Sequence, residues 1–288
     1  MRPPSMAKKK IVEFFGFFLL RVCLYMVLAI LLLFLYDVGK KGGGTVTWQF
    51  LTQAPRRGMT EGGIFPAIMG TFLVTLITAV LAIPLGMFAA IYLNEYARQT
   101  RITQVIRLAI RNLSGVPSIV YGLFGVVLFV NILKFGTSLL SAGLTLGLMT
   151  LPWTITASEE ALKTIPNSYR EGSLALGATK WQSIRTNVLP HALPGMLTGT
   201  VLGLARAAGE TAPIMFTGAA FSLPVLPKSL SDQFMALPYH LYIMATQHHD
   251  IAKARPLAYG TALVLIVFVL GMNMAAVILR YRLRRKRR

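Results

Sequence analysis

The chain has 288 residues, 55% of them hydrophobic and only 14% charged, with a mean hydropathy of +0.61. Soluble domains carry roughly 25% charged residues, so the composition argues against a soluble enzyme or binding module and points to lipid as the solvent. The net charge of +19 invites nucleic-acid binding, but the basic residues cluster between apolar runs and form no stripe interleaved with aromatics, which sets that class aside. The single cysteine, Cys23, lies inside an apolar run. It has no partner for an intrachain disulfide and reads as a small packing residue.

A spanning helix needs about 20 mostly apolar residues. In chain order the candidates are 14–36, 65–93, 107–133, 138–158, 194–219 and 257–279. The first runs on to Tyr36 with no small-residue cleavage site after it, so it reads as a retained helix with Arg21 near the inner interface. Residues 37–63, with Gly39, Gly42, Gly43 and Gly44, read as a flexible outer loop. Pro117, bracketed by Asn112, Ser114 and Ser118, should bend the third span. The half-apolar stretch 220–256, with Pro224, Pro227, Pro238 and Pro256, could hold a short helix on the outer surface.

Lysines and arginines set the orientation. The N-terminus (Arg2, Lys8, Lys9, Lys10), the region between spans two and three (Arg98, Arg101, Arg107, Arg111), the region between spans four and five (Lys163, Arg170, Lys180, Arg185) and the tail from Arg280 onward carry nineteen of the 29; the opposite side carries eight. That bias puts both termini in the cytoplasm and requires an even number of spans, which six satisfies.

The loop between spans four and five, about 164–193, holds two helix-start patterns. Ser168 with Glu171 and Thr179 with Gln182 both have capping-box spacing. The first helix should start near Tyr169 and end at Gly177 in a left-handed cap. The second should run from Lys180 to about Leu189 and stop at Pro190. Two short helices outside the membrane, with Leu174, Leu176 and Trp181 too many for so small a unit to bury, suggest a docking element; a helical linker packed on its own bundle is the alternative.

Span five contains GLARAAGETAPIMFTG, residues 203–218. Arg206 and Glu210 are costly at mid-span, and their spacing of four puts them on one helix face. They could form a self-satisfied pair that fastens helices. The other reading is an anion site. A guanidinium can hold an oxyanion through two parallel hydrogen bonds, Glu210 could accept a hydrogen bond from protonated phosphate while repelling sulfate, and the Thr211 hydroxyl stands beside them. His248, His249 and Asp250 read as a surface cluster rather than a metal site, His191 and His240 as isolated. No P-loop spacing occurs, and no catalytic constellation or metal site is expected.

EGSLALGATKWQSIRTNVLP, residues 171–190, resembles the loop signature of binding-protein-dependent ABC permeases, with Glu171, Gly177, Leu189 and Pro190 matching at the right spacing. Gly172 and Ser173 replace two alanines, and Asn187 replaces an apolar residue. RAAGETAP, with SGVPSIVYGLFG at 114–125 and LPWTITASEEALKTIP at 151–166, resembles the permeases of phosphate importers, over roughly 65–280. The resemblance implies an all-α membrane protein with about six transmembrane helices and type I ABC importer permease architecture. It divides the chain into an N-terminal arm, first helix and outer loop (1–64), the permease transmembrane domain (65–280) and a basic cytoplasmic tail (281–288).

The same resemblance implies an inner-membrane subunit for phosphate import that is not itself an enzyme and holds no cofactor. ATP would be bound by a partner ATPase dimer, which would dock through Glu171, Leu174, Leu176, Gly177, Trp181, Leu189 and Pro190. Arg206, Glu210 and Thr211 would meet the cargo. A second, homologous permease would complete a heterodimer, and a periplasmic or extracellular phosphate-binding protein would deliver the cargo; nucleic acid is not an expected partner. The alternatives are a permease for another oxyanion, and a stand-alone anion channel or secondary transporter, which would have no use for the capped loop.

Overall fold

The computed structural model of the protein describes residues 6–285. Arg2 and the last three residues of the basic tail, 286–288, lie outside the described residues. Those described are mostly helical. Five helices are long and apolar enough to cross a membrane, and a sixth span forms if one sharply bent pair is counted together.

Helix α1 (Met6–Gly43) is the first of these and runs well past the expected end. The glycines expected in a flexible loop are instead its last turns. Gly42 explains why: a Cβ there would lie 2.6 Å from the Tyr259 carbonyl oxygen, so its absence lets α1 touch the backbone of the final helix. Residues 13–36 of α1 are all exposed, Cys23 and Arg21 included. A short α2 (Trp48–Thr52), capped by Thr47, and a two-stranded antiparallel ribbon, β1 (Pro55–Arg56) with β2 (Glu61–Gly62), follow.

Helix α3 (Phe65–Ile91) continues as a wider π-type turn over Tyr92–Tyr96. The third span is broken rather than merely bent. Helix α4 (Arg101–Leu113) and α5 (Ser118–Gly125, with a π-type continuation to Ile132) meet at 101°. Pro117 sits at the start of α5, where its missing N–H costs no bond and its fixed φ suits helix entry. Helix α6 (Leu139–Lys163), capped by the Ser138 hydroxyl, packs along α3.

Helix α7 is Ser168–Ala175 and α8 is Lys180–Ser183. The helix expected to stop at Pro190 does not stop. It passes through a π-type turn, Ile184–Val188, into α9 (Leu189–Ala207), so a single helical path of 28 residues runs from Lys180 to Ala207. The wide turn absorbs Pro190, which falls in the first turn of α9, where a proline is tolerated. The far end of span five is also shorter than expected: α9 ends at Ala207, and after a tight turn the six-residue α10 (Ala212–Thr217) begins, with Pro213 at its start.

Helix α11 (Leu237–Thr246) is the short outer helix, but Leu237, His240, Ile243 and Met244 bury it in an apolar cluster with Phe50, Met59 and Ile64. His248 is not on the surface either. It is buried, with Nε2 2.9 Å from the Gly58 carbonyl oxygen, and it ties α11 to the ribbon while stacking on His249. Helix α12 (Ile251–Arg285) closes the chain against α9, α11 and α1.

The interior is built from small residues and self-satisfied hydroxyls. Thr71, Thr75, Thr78, Thr145, Thr150 and Thr200 are buried, and each hydroxyl donates to the carbonyl four residues back. This lets polar side chains line helix contacts without water. Gly195, Gly199 and Gly203 form one edge of α9 against α6. A Cβ at Gly199 would lie 2.3 Å from that of Ala157, and one at Gly203 would lie 3.4 Å from the Thr150 methyl. The two backbones are therefore in near contact, as small-residue spacing of four permits.

Candidate transport site and coupling loop

Arg206 lies in the last turn of α9, where a cation complements the helix carbonyl end. Its guanidinium sits 4.9 Å from the centre of the Trp153 ring of α6, within range of a cation–π contact. The Gly203 edge creates this juxtaposition, because it brings α9 close to Trp153 one turn before Arg206. Glu210 lies beyond the end of α9, in the turn before α10, and not on a continuous helix with Arg206 as the spacing suggests. Its Oε1 is 3.6 Å from Arg206 Nε, too long for a hydrogen bond. The guanidinium makes no side-chain hydrogen bond among the described residues, and the Arg206 side chain is 52% exposed against 17% for Glu210. Thr211, partly buried, follows immediately and does not cap α10. The structure thus gathers Arg206, Glu210 and Thr211 at a helix break, with Trp153, which the sequence reading did not include. No local signal marks it, because the contact exists only where α6 and α9 meet along the small-residue edge.

The loop between α6 and α9 shows one expected capping box and lacks the other. Thr179 Oγ1 accepts from Gln182 N at 3.3 Å, and Thr179 N donates to Gln182 Oε1 at 2.8 Å. Gly177 has φ +84°, the left-handed conformation expected of it. The Ser168–Glu171 box does not form. Asn167 occupies the N-cap in a helical conformation, and the turn begins with Tyr169 N donating to the Pro166 carbonyl. Glu171 is left exposed without a capping role. Leu176 is 91% exposed, and Leu174 and Trp181 are each about half exposed. Leu189 turns the other way and packs on Ile184, Val188 and Ala192, with Pro190 half-buried beside it. The seven residues of the expected docking set therefore divide into an outward group on α7–α8 and an inward pair at the root of α9.

Two charge pairs at this end escaped the sequence reading. Arg170 Nη2 and Nε donate to the two Glu95 carboxylate oxygens at 2.7 and 3.1 Å. Arg107 lies 3.1 Å from Glu159, out of line for a hydrogen bond, and donates to the Leu93 carbonyl at 2.7 Å. Among the described residues no cluster of three or more His, Cys, Asp or Glu side chains could hold a metal ion.

Residues 82–288 match the family described as "Binding-protein-dependent transport system inner membrane component". The chain belongs to this family. Among its curated relatives are a probable ABC transporter permease protein, YqgI, of Bacillus subtilis (32% identical over 268 residues, 88% of this chain and 90% of that one) and phosphate transport system permease protein PstA 1 of Mycobacterium tuberculosis (37% over 227 residues, 79% and 72%). The PstA protein of Haemophilus influenzae is 31% identical over 239 residues, 83% of each chain. Solved structures share the fold at low identity. A chain of a bacterial ABC transporter that imports alginate superposes with TM-score 0.64 at 14% identity, covering 95% of this chain and 99% of that one. A chain of the MetNI methionine ABC transporter superposes with TM-score 0.61 at 17% identity, covering 76% and 97%.

Proposed function

We propose that this chain is the permease subunit of an ATP-driven importer that moves inorganic phosphate inward across the bacterial cytoplasmic membrane. The observation that carries the cargo is Arg206. Its guanidinium stands at a helix break among apolar helices, backed by an indole and uncommitted to any hydrogen bond among the described residues. An ionisable group in such a place is costly unless it meets a polar partner, and a planar fork of donors suits a tetrahedral oxyanion. The relatives named as phosphate transport permeases support the same choice. Glu210 beside it favours an anion that still carries a proton, hence phosphate over sulfate.

In this reading both termini are cytoplasmic, as the lysine and arginine bias favours. A homologous permease faces Arg206 across the path. An ATPase dimer, which binds the ATP, docks on the outward group Glu171, Leu174, Leu176, Gly177 and Trp181. A phosphate-binding protein feeds the outer side. A stand-alone channel would leave the exposed leucines of α7–α8 without a purpose.

The test is uptake in cells that lack other phosphate importers. Arg206→Ala should abolish most phosphate uptake with the complex still assembled, and Glu210→Gln should raise sulfate competition. Undiminished phosphate uptake in Arg206→Ala would overturn the site assignment.

A further inference from the structure

The wide turn Tyr92–Tyr96 at the end of α3 is held by three cations from three different elements. From α4, Arg107 donates to the Leu93 carbonyl at 2.7 Å. From α7, Arg170 makes its two-pronged contact with the Glu95 carboxylate. From α8, the Lys180 ammonium lies 5.0 Å from the centre of the Tyr96 ring. Asn94 adds a 2.9 Å bond to Glu95 Oε1, which orients the carboxylate. Arg170 also donates to the Ile165 and Leu162 carbonyls at the end of α6. The Arg170 and Glu95 side chains are 19% and 5% exposed, although 75 residues separate them. A cavity of about 450 Å³ opens beside them, lined by Asn94, Lys163, Asn167 and Lys180 together with the apolar Ile165 and Leu174.

We propose that this turn is the socket into which the coupling loop is keyed, and that Glu95 and Arg170 are the positioning residues that make α3 follow α7. Three features favour a working joint over a simple brace. A π-type turn is an uncommon local geometry that recurs at functional sites. The bidentate pair fixes both distance and orientation, which a single apolar contact does not. The Ser173 and Ser183 hydroxyls are hydrogen-bonded to each other between α7 and α8, so the two helices form one small body seated on Glu95 and Tyr96. From this socket α3 runs back along α6 and seats the Thr154 side chain at Gly86, where a Cβ would lie 2.4 Å from the Thr154 methyl. Thr154 adjoins Trp153, which carries Arg206. A displacement of α7 therefore has a packed route to the candidate site.

The inference rests on the reading of an ATPase-driven permease, but not on the cargo. The test uses the whole complex in vesicles, with Glu95→Gln and Arg170→Lys as shape-conserving variants that lose the charge and the fork respectively. A reporter cysteine at Leu202, exposed on α9, is introduced after Cys23→Ser, and its maleimide labelling is compared with and without a non-hydrolysable ATP analogue. The expected result is a wild-type complex whose labelling responds to nucleotide and variants that assemble and hydrolyse ATP but lose about tenfold of that response, with a matching fall in phosphate imported per ATP. Variants that respond like the wild type, or variants in which the complex no longer assembles, overturn the proposal. A wild-type complex that responds to nucleotide yet imports no phosphate would overturn the cargo and leave the socket standing.

Discussion

Two arginines in this molecule face opposite circumstances. Arg170 is mostly buried and fully occupied, with a bidentate carboxylate and backbone carbonyls satisfying its donors. Arg206 is half exposed, rests on an indole face and has only a 3.6 Å approach to a carboxylate. A buried charge with all its bonds made joins one element to another; an unfilled fork at a helix break is available for a visitor. The difference teaches that charge in an apolar chain is not informative by itself, and that the count of satisfied donors separates a fastening from a site.

Mutation should separate the two roles. Arg170→Ala leaves the Glu95 carboxylate buried without its partner and should destabilise the protein by about 3–5 kcal/mol, read as a lower Tm and poor accumulation in the membrane. Arg206→Ala should change Tm little, since it removes no hydrogen bond. Phosphate uptake should fall roughly 10- to 100-fold, the worth of a charge-assisted bond or two. Equal loss of stability in both variants would erase the distinction drawn between them.

Acid offers a control on a third region. Burial, helped by His248, lowers the His240 pKa from 6.5 to about 4. The neutral ring is therefore the folded form. Its contribution is whole above pH 6.5, and stability should fall by roughly 2–3 kcal/mol in all as pH drops from 6.5 to 4. His240→Gln should remove that dependence in a melting series without touching either arginine's phenotype. Smaller effects belong to the loop. Gly177→Val forces a branched residue into φ +84°, should cost about 1–2 kcal/mol, and should lower phosphate imported per ATP. Thr179→Ala should cost about 1 kcal/mol through loss of its cap, visible as faster amide exchange at Trp181 and Gln182.

Much of this architecture is legible in residue order. The apolar runs mark the spans, and Gly177, Thr179 and Gln182 mark the elbow between α7 and α8, because each depends on neighbours within a few residues. What escapes the sequence depends on contacts made at a distance. The glycines at 39–44 read as a loop until Tyr259 supplies the backbone that Gly42 approaches. Pro190 reads as a stop until a π-type turn makes room for it. Arg107 and Arg170 count only as inner-side charges for orientation, since nothing local announces Glu159 or Glu95 as their partners. At the candidate site the composition Arg206, Glu210 and Thr211 is readable, but Trp153 is 53 residues away in sequence and enters only when α6 and α9 come together on their glycine edge.

The unbroken helical path from Lys180 to Ala207 has a mechanical consequence. At 1.5 Å per residue, its 28 residues make a rod about 42 Å long, with the exposed Trp181 at one end and Arg206 at the other. Tilting such a lever by about 10° about its inner end would swing the far end through roughly 7 Å, more than the width of a tetrahedral oxyanion. Pro190 falls in the first turn of α9 and Pro194 within it, yet the helical path runs on unbroken from Lys180 to Ala207, so a push on the handle is carried toward the tip.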